Sequence, residues 1–306
     1  MQFEPTSVAF GRNETFGLRY GWIPKGYESY KNNPSIFNQE SATVELGLGK
    51  NMVQSMRYWL NAYKLLEGER GLSSLADLLL DREEGLDPFL QDINTLWLLH
   101  WNLCTNPSNS TLYYWFFNHF RVTNFSKSSV TSSLLDWLNE NSTKKVSSKT
   151  IDRDISLLLR TYSVQDLNEV KNLEEEIENP FGELRLIDKG MESNYKSEYK
   201  QREGLNPYLL AYCIAEWIQP NAEEDILKEN TKEASYPVSE IMNSDEKKIS
   251  LTGIFRIDEN SFFILLEEMC SIYSDIFNLS EAAGSKLLTF NGGVLNKHKF
   301  LENYYQ

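Results

Sequence analysis

The first informative pattern along the chain is a short helix, a glycine turn and a longer helix. Apolar and polar positions predict helices over Ser35–Leu46 and Asn51–Leu65, on either side of the turn Gly47–Gly49. In the longer helix, the apolar residues that recur at helical spacing and should face a core are Val53, Met56, Leu60 and Tyr63. This order is the signature of a helix-turn-helix unit, with an ordinary helical hairpin as the alternative.

A second unit with the same order follows. The pattern predicts helices over Ser129–Asn139 and Lys149–Tyr162, joined by the polar turn Asn141–Ser148, with Ser148 as the N-cap. Each unit carries donor side chains at the start of its second helix, where a recognition helix meets base edges and phosphates. Both units are therefore predicted to contact DNA.

The remaining pattern predicts a mainly α, α+β protein with winged-helix or helix-turn-helix-like units and small β-wings. Gly71–Leu90 combines turn residues with a Leu-rich run and is predicted to form a wing. Further helices are predicted over Asp92–Cys104, Ser110–Phe120, Pro207–Ile218 and Glu259–Ile276, and strands over Glu183–Asp188, Asn194–Gln201, Thr252–Ile257 and Lys286–Phe290. The predicted domains are an N-terminal winged-helix-like domain (1–125), a second helix-turn-helix unit with a linker (126–180), and an acidic α+β domain (181–306).

The charge distribution changes the picture of what the chain binds. The 306 residues carry a net charge of −14, which argues against a protein coated in basic patches for nucleic acid. Residues 171–246, however, hold eight Lys/Arg and eighteen Asp/Glu and so account for −10 of that charge. The rest of the chain is near neutral and can present a local basic surface. The acidic segment is an expected surface for a protein partner, with a solvated helix face as the alternative.

Several classes of protein are excluded by what the sequence lacks. Cys104, Cys213 and Cys270 are widely spaced, which is typical of a reduced, cytoplasmic protein without a disulfide framework. No apolar run reaches the roughly 18–20 residues that a membrane span needs, and we expect no secretory signal. The three histidines have no zinc-ligand spacing, so the sequence assigns no metal site.

The candidate DNA contacts lie at the second helix of each unit. In the first unit they are Lys50, Asn51, Gln54 and Arg57. In the second unit they are Lys144, Lys145, Lys149 and Arg153, which form the densest basic group in the chain. A solvated loop is the alternative for this second group. Phosphate contacts from these side chains would make DNA affinity dependent on salt.

Charged side chains among aromatic residues mark a third candidate near the N-terminus. Arg12, Glu14 and Arg19 surround Phe16 and precede Trp22. Charges so close to aromatic rings are paired or lie at a site. One interpretation is an Arg–carboxylate pair that fixes this segment on the rest of the domain. The other is a phosphate clamp by the two arginines, with Glu14 as a metal ligand or base. These three residues are the catalytic candidates.

Three blocks of sequence are more specific than any of these motifs. They are FGRNETFGLRYGWIPKGY at Phe10–Tyr27, LGLGKNMVQSMRYWLNAYKLL at Leu46–Leu66 and GLDPFLQDINTLWLLHWNLC at Gly85–Cys104. In this order they resemble the SspB-like DNA nickase family of bacterial DNA phosphorothioation defence operons. A looser likeness continues through Ile155–Tyr162 and Pro180–Ile187, so the resemblance covers most of the chain.

The resemblance implies a DNA-binding protein of an anti-phage, restriction-modification-like system, which nicks one strand so that sulfur can be inserted. It implies that Mg²⁺ or Mn²⁺ is the only cofactor. It also implies that the partners are DNA and two proteins of the operon, the sulfur-transfer enzyme and the ATPase. A homodimer is an open alternative. The family block reads Phe-x-Gly-His-Glu-Thr-Phe, whereas Arg12-Asn13 stands here in the place of Gly-His. If that histidine acts in cleavage, the alternative function is a non-catalytic DNA-binding adaptor that recruits the sulfur-transfer enzyme or the ATPase.

Overall fold

The computed structural model describes residues 3–163, 179–190, 194–220, 233–243, 249–282, 284–293 and 295–306, with only the backbone at position 69. These residues form two compact units. The first contains Phe3–Phe116 and Phe120–Glu198, and the second contains Phe117–His119 and Tyr199–Gln306. The three-domain division drawn from the sequence stays a prediction.

The first unit is mainly helical. Its helices are α1 (Trp22–Asn32), α2 (Ala42–Glu45), α3 (Lys50–Ala62), α4 (Ser74–Leu80), α5 (Ile93–Cys104), α6 (Thr111–Asn118, whose last two residues belong to the second unit), α7 (Lys127–Asn141) and α8 (Ser148–Tyr162). Short 3₁₀ turns lie at Ile36–Asn38, Gly68–Arg70 and Pro180–Leu184. Strands β1 (Asn124–Ser126), β2 (Asp188–Lys189) and β3 (Asn194–Lys196) form an antiparallel sheet in the order β1-β3-β2.

Both predicted helix-turn-helix patterns are helical pairs in the structure, with shifted ends. The predicted helix over Ser35–Leu46 is split into a 3₁₀ turn and α2, and the turn before α3 uses Gly47 at φ +59°. A positive φ of this kind favours glycine because it has no Cβ. In the second pair the N-cap of α8 is Ser147, whose hydroxyl accepts from the N–H of Thr150 at 3.2 Å, and not the predicted Ser148.

The wing predicted over Gly71–Leu90 is not confirmed. That range contains helix α4, capped by Ser73, and its only strand-like pairing among the described residues is a single bridge between Leu66 and Leu72. The Leu-rich run buries Leu75, Leu79 and Leu80 against the core, which a solvent-facing hairpin would not do. The mixed class of helices with small antiparallel sheets is confirmed.

The second unit combines helices with a longer sheet. Its elements are α9 (Pro207–Ile218), β4 (Ala234–Pro237), α10 (Val238–Met242), α11 (Leu251–Phe255), α12 (Glu259–Ile272), β5 (Phe277–Ala282), β6 (Ser285–Phe290) and α13 (Lys297–Tyr305). The strands pair antiparallel in the order β4-β6-β5. The acidic runs Glu174–Glu176 and Glu223–Asp225 lie outside the described residues, so the expected partner surface of 171–246 is described only in part.

The strand predicted over Thr252–Ile257 is wrong, because this stretch is helix α11. Its β-branched and aromatic residues suit a strand. The hydroxyl of Ser250 nevertheless accepts from the N–H of Gly253 at 2.8 Å and caps a short helix, which ends at Arg256 in a left-handed conformation. Local capping therefore outweighs strand propensity here.

Aromatic residues fill the core of the first unit. Trp59, Trp97 and Trp101 are fully buried. Trp59 stacks on Tyr63 at 5.5 Å and meets the edge of Tyr113 at 6.0 Å. Among the described residues, no helix has the length and apolarity needed to cross a membrane.

Candidate nucleic-acid site

The segment Gly11–Thr15 forms a tight turn that carries two of the catalytic candidates. Gly11, Glu14 and Thr15 all have positive φ angles, of 68°, 49° and 71°. The side-chain oxygen of Asn13 accepts from the N–H of Thr15 at 3.0 Å, which is a local turn typical of asparagine. A β-branched residue such as Thr15 is rarely found in this conformation, and such strain concentrates at functional sites. We call Gly11–Thr15 the turn segment.

Helix α8 holds the turn segment from one side. Asp154 accepts from the N–H of Gly11 at 2.7 Å and from the side-chain amide of Asn13 at 3.4 Å. Further along the same helix, the guanidinium of Arg160 donates to the carbonyl of Thr15 at 3.4 Å. A Cβ atom at Gly11 would lie only 2.9 Å from a methyl of Thr150, so the backbone of the segment approaches α8 closely.

Helix α3 holds the residue that follows the turn segment. The carbonyl of Phe16 accepts from the indole N–H of Trp59 at 3.2 Å and from the hydroxyl of Ser55 at 3.4 Å. Both donors are buried, so the position of this carbonyl is set by the core of the unit. The second helices of the two helix-turn-helix pairs thus contact one continuous stretch of chain.

Next to the turn segment lies a cavity of about 540 Å³. The residues that line it are Gly11, Arg12, Glu14, Gln54, Arg57, Tyr58, Asn61 and Asn109. Two of the catalytic candidates and two of the DNA-contact candidates therefore share one cavity, although some 40 positions separate them in the chain. We call it the Arg12 cavity.

The charged side chains of the Arg12 cavity differ in whether they form hydrogen bonds within the protein. Arg12 and Glu14 are exposed, and within the described part of the chain their side chains form no hydrogen bond or ion pair. Arg57 donates to the side-chain oxygen of Asn38 at 2.7 Å. The predicted Arg–carboxylate pair is therefore not formed by Arg12 and Glu14, and both side chains remain available to a ligand.

The pKa of Tyr58, which lines the cavity, reflects the charges around it. Burial raises the pKa of its hydroxyl, the negative charge of Asp154 raises this pKa further, and the positive charge of Arg12 lowers it. Burial also raises the pKa of Asp154 itself, against the lowering effects of Gly11, Asn13 and Arg153. A neutral tyrosine beside a cation is a hydrogen-bond donor and suits an anionic oxygen as ligand.

The remaining candidates lie outside this cavity. Arg19 stacks over Trp22 at 5.6 Å and lines a separate, smaller cavity together with Arg160. Lys50 and Asn51 are exposed in the first turn of α3, where Gly49 provides no side-chain cap. The structure therefore does not place Arg19 with Arg12 and Glu14.

The basic group of the second helix-turn-helix pair lies on the exposed surface of α8 and the turn before it. Lys144, Lys145, Lys149 and Arg153 are all exposed. Within the described residues none of them forms an ion pair, whereas Lys127 on α7 pairs with Asp152 at 2.7 Å. Uncommitted cations on the start of a helix suit phosphate contacts, since no internal partner has to be given up.

Sequence reasoning missed two residues near the site. Asp154 is 5% exposed and lies on the apolar side of α8, between the buried Ile151, Ile155 and Leu158. A carboxylate on the apolar face of an amphipathic helix is a signal that the sequence already contains, because burying it requires a partner. Asn109 lines the Arg12 cavity from a loop, and no pattern in the sequence indicates this.

The described residues do not provide a complete set of side-chain ligands for a divalent cation. No group of three or more His, Cys, Asp and Glu side chains there could hold a metal ion. Glu14 is the one carboxylate among the described residues that line the Arg12 cavity. The two carboxylate oxygens of Asp154 already accept hydrogen bonds from Gly11 and Asn13.

Comparison with known proteins identifies the class first. The family model of DUF4007, described as a protein of unknown function, matches residues 10–305, so this chain belongs to that family. None of the curated proteins matches the sequence significantly.

Two solved structures of SspB then resemble the chain closely in fold. The crystal structure of magnesium ion-bound SspB is 26% identical, with a TM-score of 0.83 over 98% of this chain and 89% of that one. A second SspB crystal structure has the same identity and TM-score and covers 99% of this chain and 89% of its own. The prediction of an SspB-like protein is confirmed. The magnesium ion belongs to that relative.

Proposed function

We propose that this protein binds DNA within a phosphorothioation-type defence system and nicks one strand so that sulfur can be inserted. The observation that carries the proposal is the Arg12 cavity, where Arg12 and Glu14 meet Gln54 and Arg57. The likeness to SspB along nearly the whole chain supports the type of system. In this proposal the two helix-turn-helix pairs, the turn segment and the cavity all bind one ligand, the DNA backbone.

The order of elements around α8 supports its role as the DNA-recognition helix. Among the described residues, helix α6, strand β1, helices α7 and α8, and the paired strands β2 and β3 occur in this order, and the sheet order is β1-β3-β2. This order supports a winged helix, a class of fold in which the second helix of the helix-turn-helix enters the major groove. The proposed wing is then β2–β3 rather than Gly71–Leu90. Lys149 and Arg153 lie on the exposed side of the proposed recognition helix.

The chemistry of the Arg12 cavity suits a phosphodiester. Guanidinium groups such as those of Arg12 and Arg57 can bind two phosphate oxygens through parallel N–H groups. Glu14 offers a carboxylate that can accept a proton from an attacking water. A divalent cation, when bound, would supply charge neutralisation at the phosphate, and Glu14 is the residue of this cavity that could hold it, with water and phosphate oxygens completing the shell.

A second candidate function is a non-catalytic DNA-binding adaptor, and Asn13 is the observation that favours it. Asn13 is 4% exposed and its amide is committed to Asp154 and Thr15. An amide does not titrate, so it cannot transfer a proton as the histidine of the related block could. In the adaptor, the sulfur-transfer enzyme or the ATPase would be bound by a separate surface.

Plasmid nicking separates the two functions. Supercoiled DNA is incubated with the protein and Mg²⁺ or Mn²⁺, beside the double variant Arg12→Ala, Glu14→Ala. The matched control is Glu28→Ala, Arg82→Ala, which removes one charge of each sign from a surface pair outside the cavity, 3.5 Å apart. We expect open-circle product with the wild type and the control, and a loss of about 100-fold or more in the cavity variant.

Retained DNA binding without open-circle product in either metal would reject the nickase and leave the adaptor. Asn13→His then tests the reason for the inactivity. Nicking that appears in Asn13→His would show that the turn segment supports cleavage once a titratable ring stands beside Asp154. Nicking that resists the Arg12, Glu14 substitutions would move the catalytic groups away from the Arg12 cavity.

A further inference from the structure

Asp154 is a buried carboxylate whose contacts lead to the turn segment and not to solvent. It lies on the inner side of α8 at 5% exposure and is not among the residues that line the Arg12 cavity. Burying a carboxylate is costly unless hydrogen bonds satisfy it. Here those hydrogen bonds come from Gly11 and Asn13, the two neighbours of Arg12.

The two contacts fix the backbone on both sides of Arg12. The N–H of Gly11 donates to one oxygen at 2.7 Å, and the amide of Asn13 donates to the other at 3.4 Å. Because the other end of the Asn13 amide accepts from the N–H of Thr15 at 3.0 Å, the hold of Asp154 extends past Glu14. One carboxylate therefore constrains the stretch that carries both exposed charges of the cavity.

The conformation that is held in this way is strained. Gly11, Glu14 and Thr15 have positive φ angles, and two of the three are not glycine. Such angles cost free energy and persist only where the surrounding contacts enforce them. Without the acceptors of Asp154, the N–H of Gly11 and the amide of Asn13 lose the partner that enforces this shape.

We propose that Asp154 is a positioning residue, which holds the turn segment so that Arg12 and Glu14 project into the cavity. It acts through Gly11 and Asn13 and does not touch the ligand. The inference rests on the proposed function for its consequence in DNA cleavage, but the hold on the turn segment is a property of the protein alone. Because Asp154 belongs to α8, it also links the turn segment, which lines the cavity, to the proposed recognition helix.

Limited proteolysis measures that hold directly. Trypsin cleaves after Arg12 when the turn segment opens, and Lys144 and Lys145, in the exposed turn before α8, provide reference cleavage sites in the same molecule. In Asp154→Ala we expect cleavage after Arg12 to be about tenfold faster or more, because loss of hydrogen bonds to a charged group raises the population of the open segment. Cleavage at the reference sites should not change.

Two further variants keep the test decisive. Asp152→Ala removes a carboxylate of the same helix that pairs with Lys127 and should leave the cleavage rate after Arg12 unchanged. Asp154→Asn keeps the shape and one acceptor oxygen, and should give an intermediate rate even if the alanine variant unfolds. Equal cleavage after Arg12 in the wild type and both Asp154 variants would overturn the proposal.

The nicking assay adds the functional consequence. A positioning role predicts that Asp154→Asn lowers kcat for plasmid nicking while the KM for DNA, set by the exposed face of α8, stays close to that of the wild type. A wild type that does not nick rejects the proposed function, while the cleavage rate after Arg12 still decides whether Asp154 holds the turn segment. A rise in KM with unchanged kcat would contradict positioning and make Asp154 part of DNA binding.

Discussion

The helices α3 and α8 are the second helices of two similar pairs, yet they contribute different chemistry to one site. Helix α3 provides Gln54, Arg57 and Tyr58 to the wall of the cavity, and its first turn is uncapped. Helix α8 is capped by Ser147 and carries its cations on the surface, outside the cavity. Both helices contact one stretch of chain, since α8 contacts the turn segment and α3 contacts Phe16 after it.

The difference between the two helices separates affinity from chemistry. Uncommitted cations on a surface bind phosphates along the duplex and determine affinity, without regard to sequence. A cavity in which Arg57 is bound to Asn38 and Tyr58 is half-buried is too small and too constrained for a duplex and suits a single phosphate group. We infer that α8 binds the DNA and that α3 shapes the place where one phosphate is held.

The largest expected effect tests the surface of α8. Replacing Lys144, Lys145, Lys149 and Arg153 together by alanine should weaken DNA binding about 100-fold or more at moderate salt, and should lower the slope of log affinity against log salt by about three to four. Fluorescence anisotropy over a salt titration measures both quantities. An unchanged slope would contradict phosphate contacts by this surface.

The next effect tests the cations of α3. Lys50→Ala with Arg57→Ala should weaken binding about tenfold and lower the salt slope by about two. The matched control is Arg70→Ala with Arg82→Ala, which removes two cations elsewhere in the same unit. If both doubles weaken binding equally, the loss reflects net charge and not a specific role of α3.

A third prediction separates the turn segment from α8 without touching α3. Gly11→Ala places a methyl at φ +68° and 2.9 Å from Thr150, so the free energy of unfolding should fall by about 1–2 kcal/mol. Gly17→Ala is the control, because its new methyl would make an ordinary contact with Leu157 at 3.6 Å. Urea titrations of the three proteins check this, and equal stability of both variants would contradict a close approach at Gly11.

The smallest effect concerns pH. The raised pKa of Asp154 means that the native state keeps its proton to a higher pH than the unfolded chain, in which the aspartate pKa is about 3.9. Its contribution to the free energy of unfolding therefore falls as the pH rises from about 4 through the raised pKa. Asp154→Asn lacks this loss, so its stability relative to the wild type should improve across that range in urea titrations. If Asp152→Asn shows the same pH dependence of stability, the effect comes from the charge of the helix and not from the burial of Asp154.

Much of the fold could be predicted from local patterns. The helix over Pro207–Ile218 has the predicted ends, and Asp92 caps α5, since its side chain accepts from the N–H of Asn94 at 2.7 Å. The two predictions that failed were also based on local patterns. Gly71–Leu90 and Thr252–Ile257 contain short apolar runs, whose periodicity does not distinguish a buried helix from a strand. Capping by Ser73 and Ser250 decided both in favour of a helix.

The candidate site could be predicted only in separate parts. Arg12 and Glu14 were indicated by charge among aromatic residues, and Gln54 and Arg57 by the polar face of a helix. Nothing in the sequence indicated that the two sets face one cavity, or that Arg19 lies elsewhere. Asp154 was missed although it lies on an apolar helix face, and its partners are more than 140 positions away.

The sequence by itself determined the helical pairs, the location of the basic groups and the likeness to SspB-like proteins, because periodicity, charge and motif blocks are local properties of the chain. The tertiary structure alone decided which of these features meet. Hydrogen bonds to Asp154 bring the turn segment to α8, and hydrogen bonds from Ser55 and Trp59 bring Phe16 to α3, all across long sequence separations. Such partners are selected by packing and by the cost of unsatisfied buried groups, which depend on the whole folded unit.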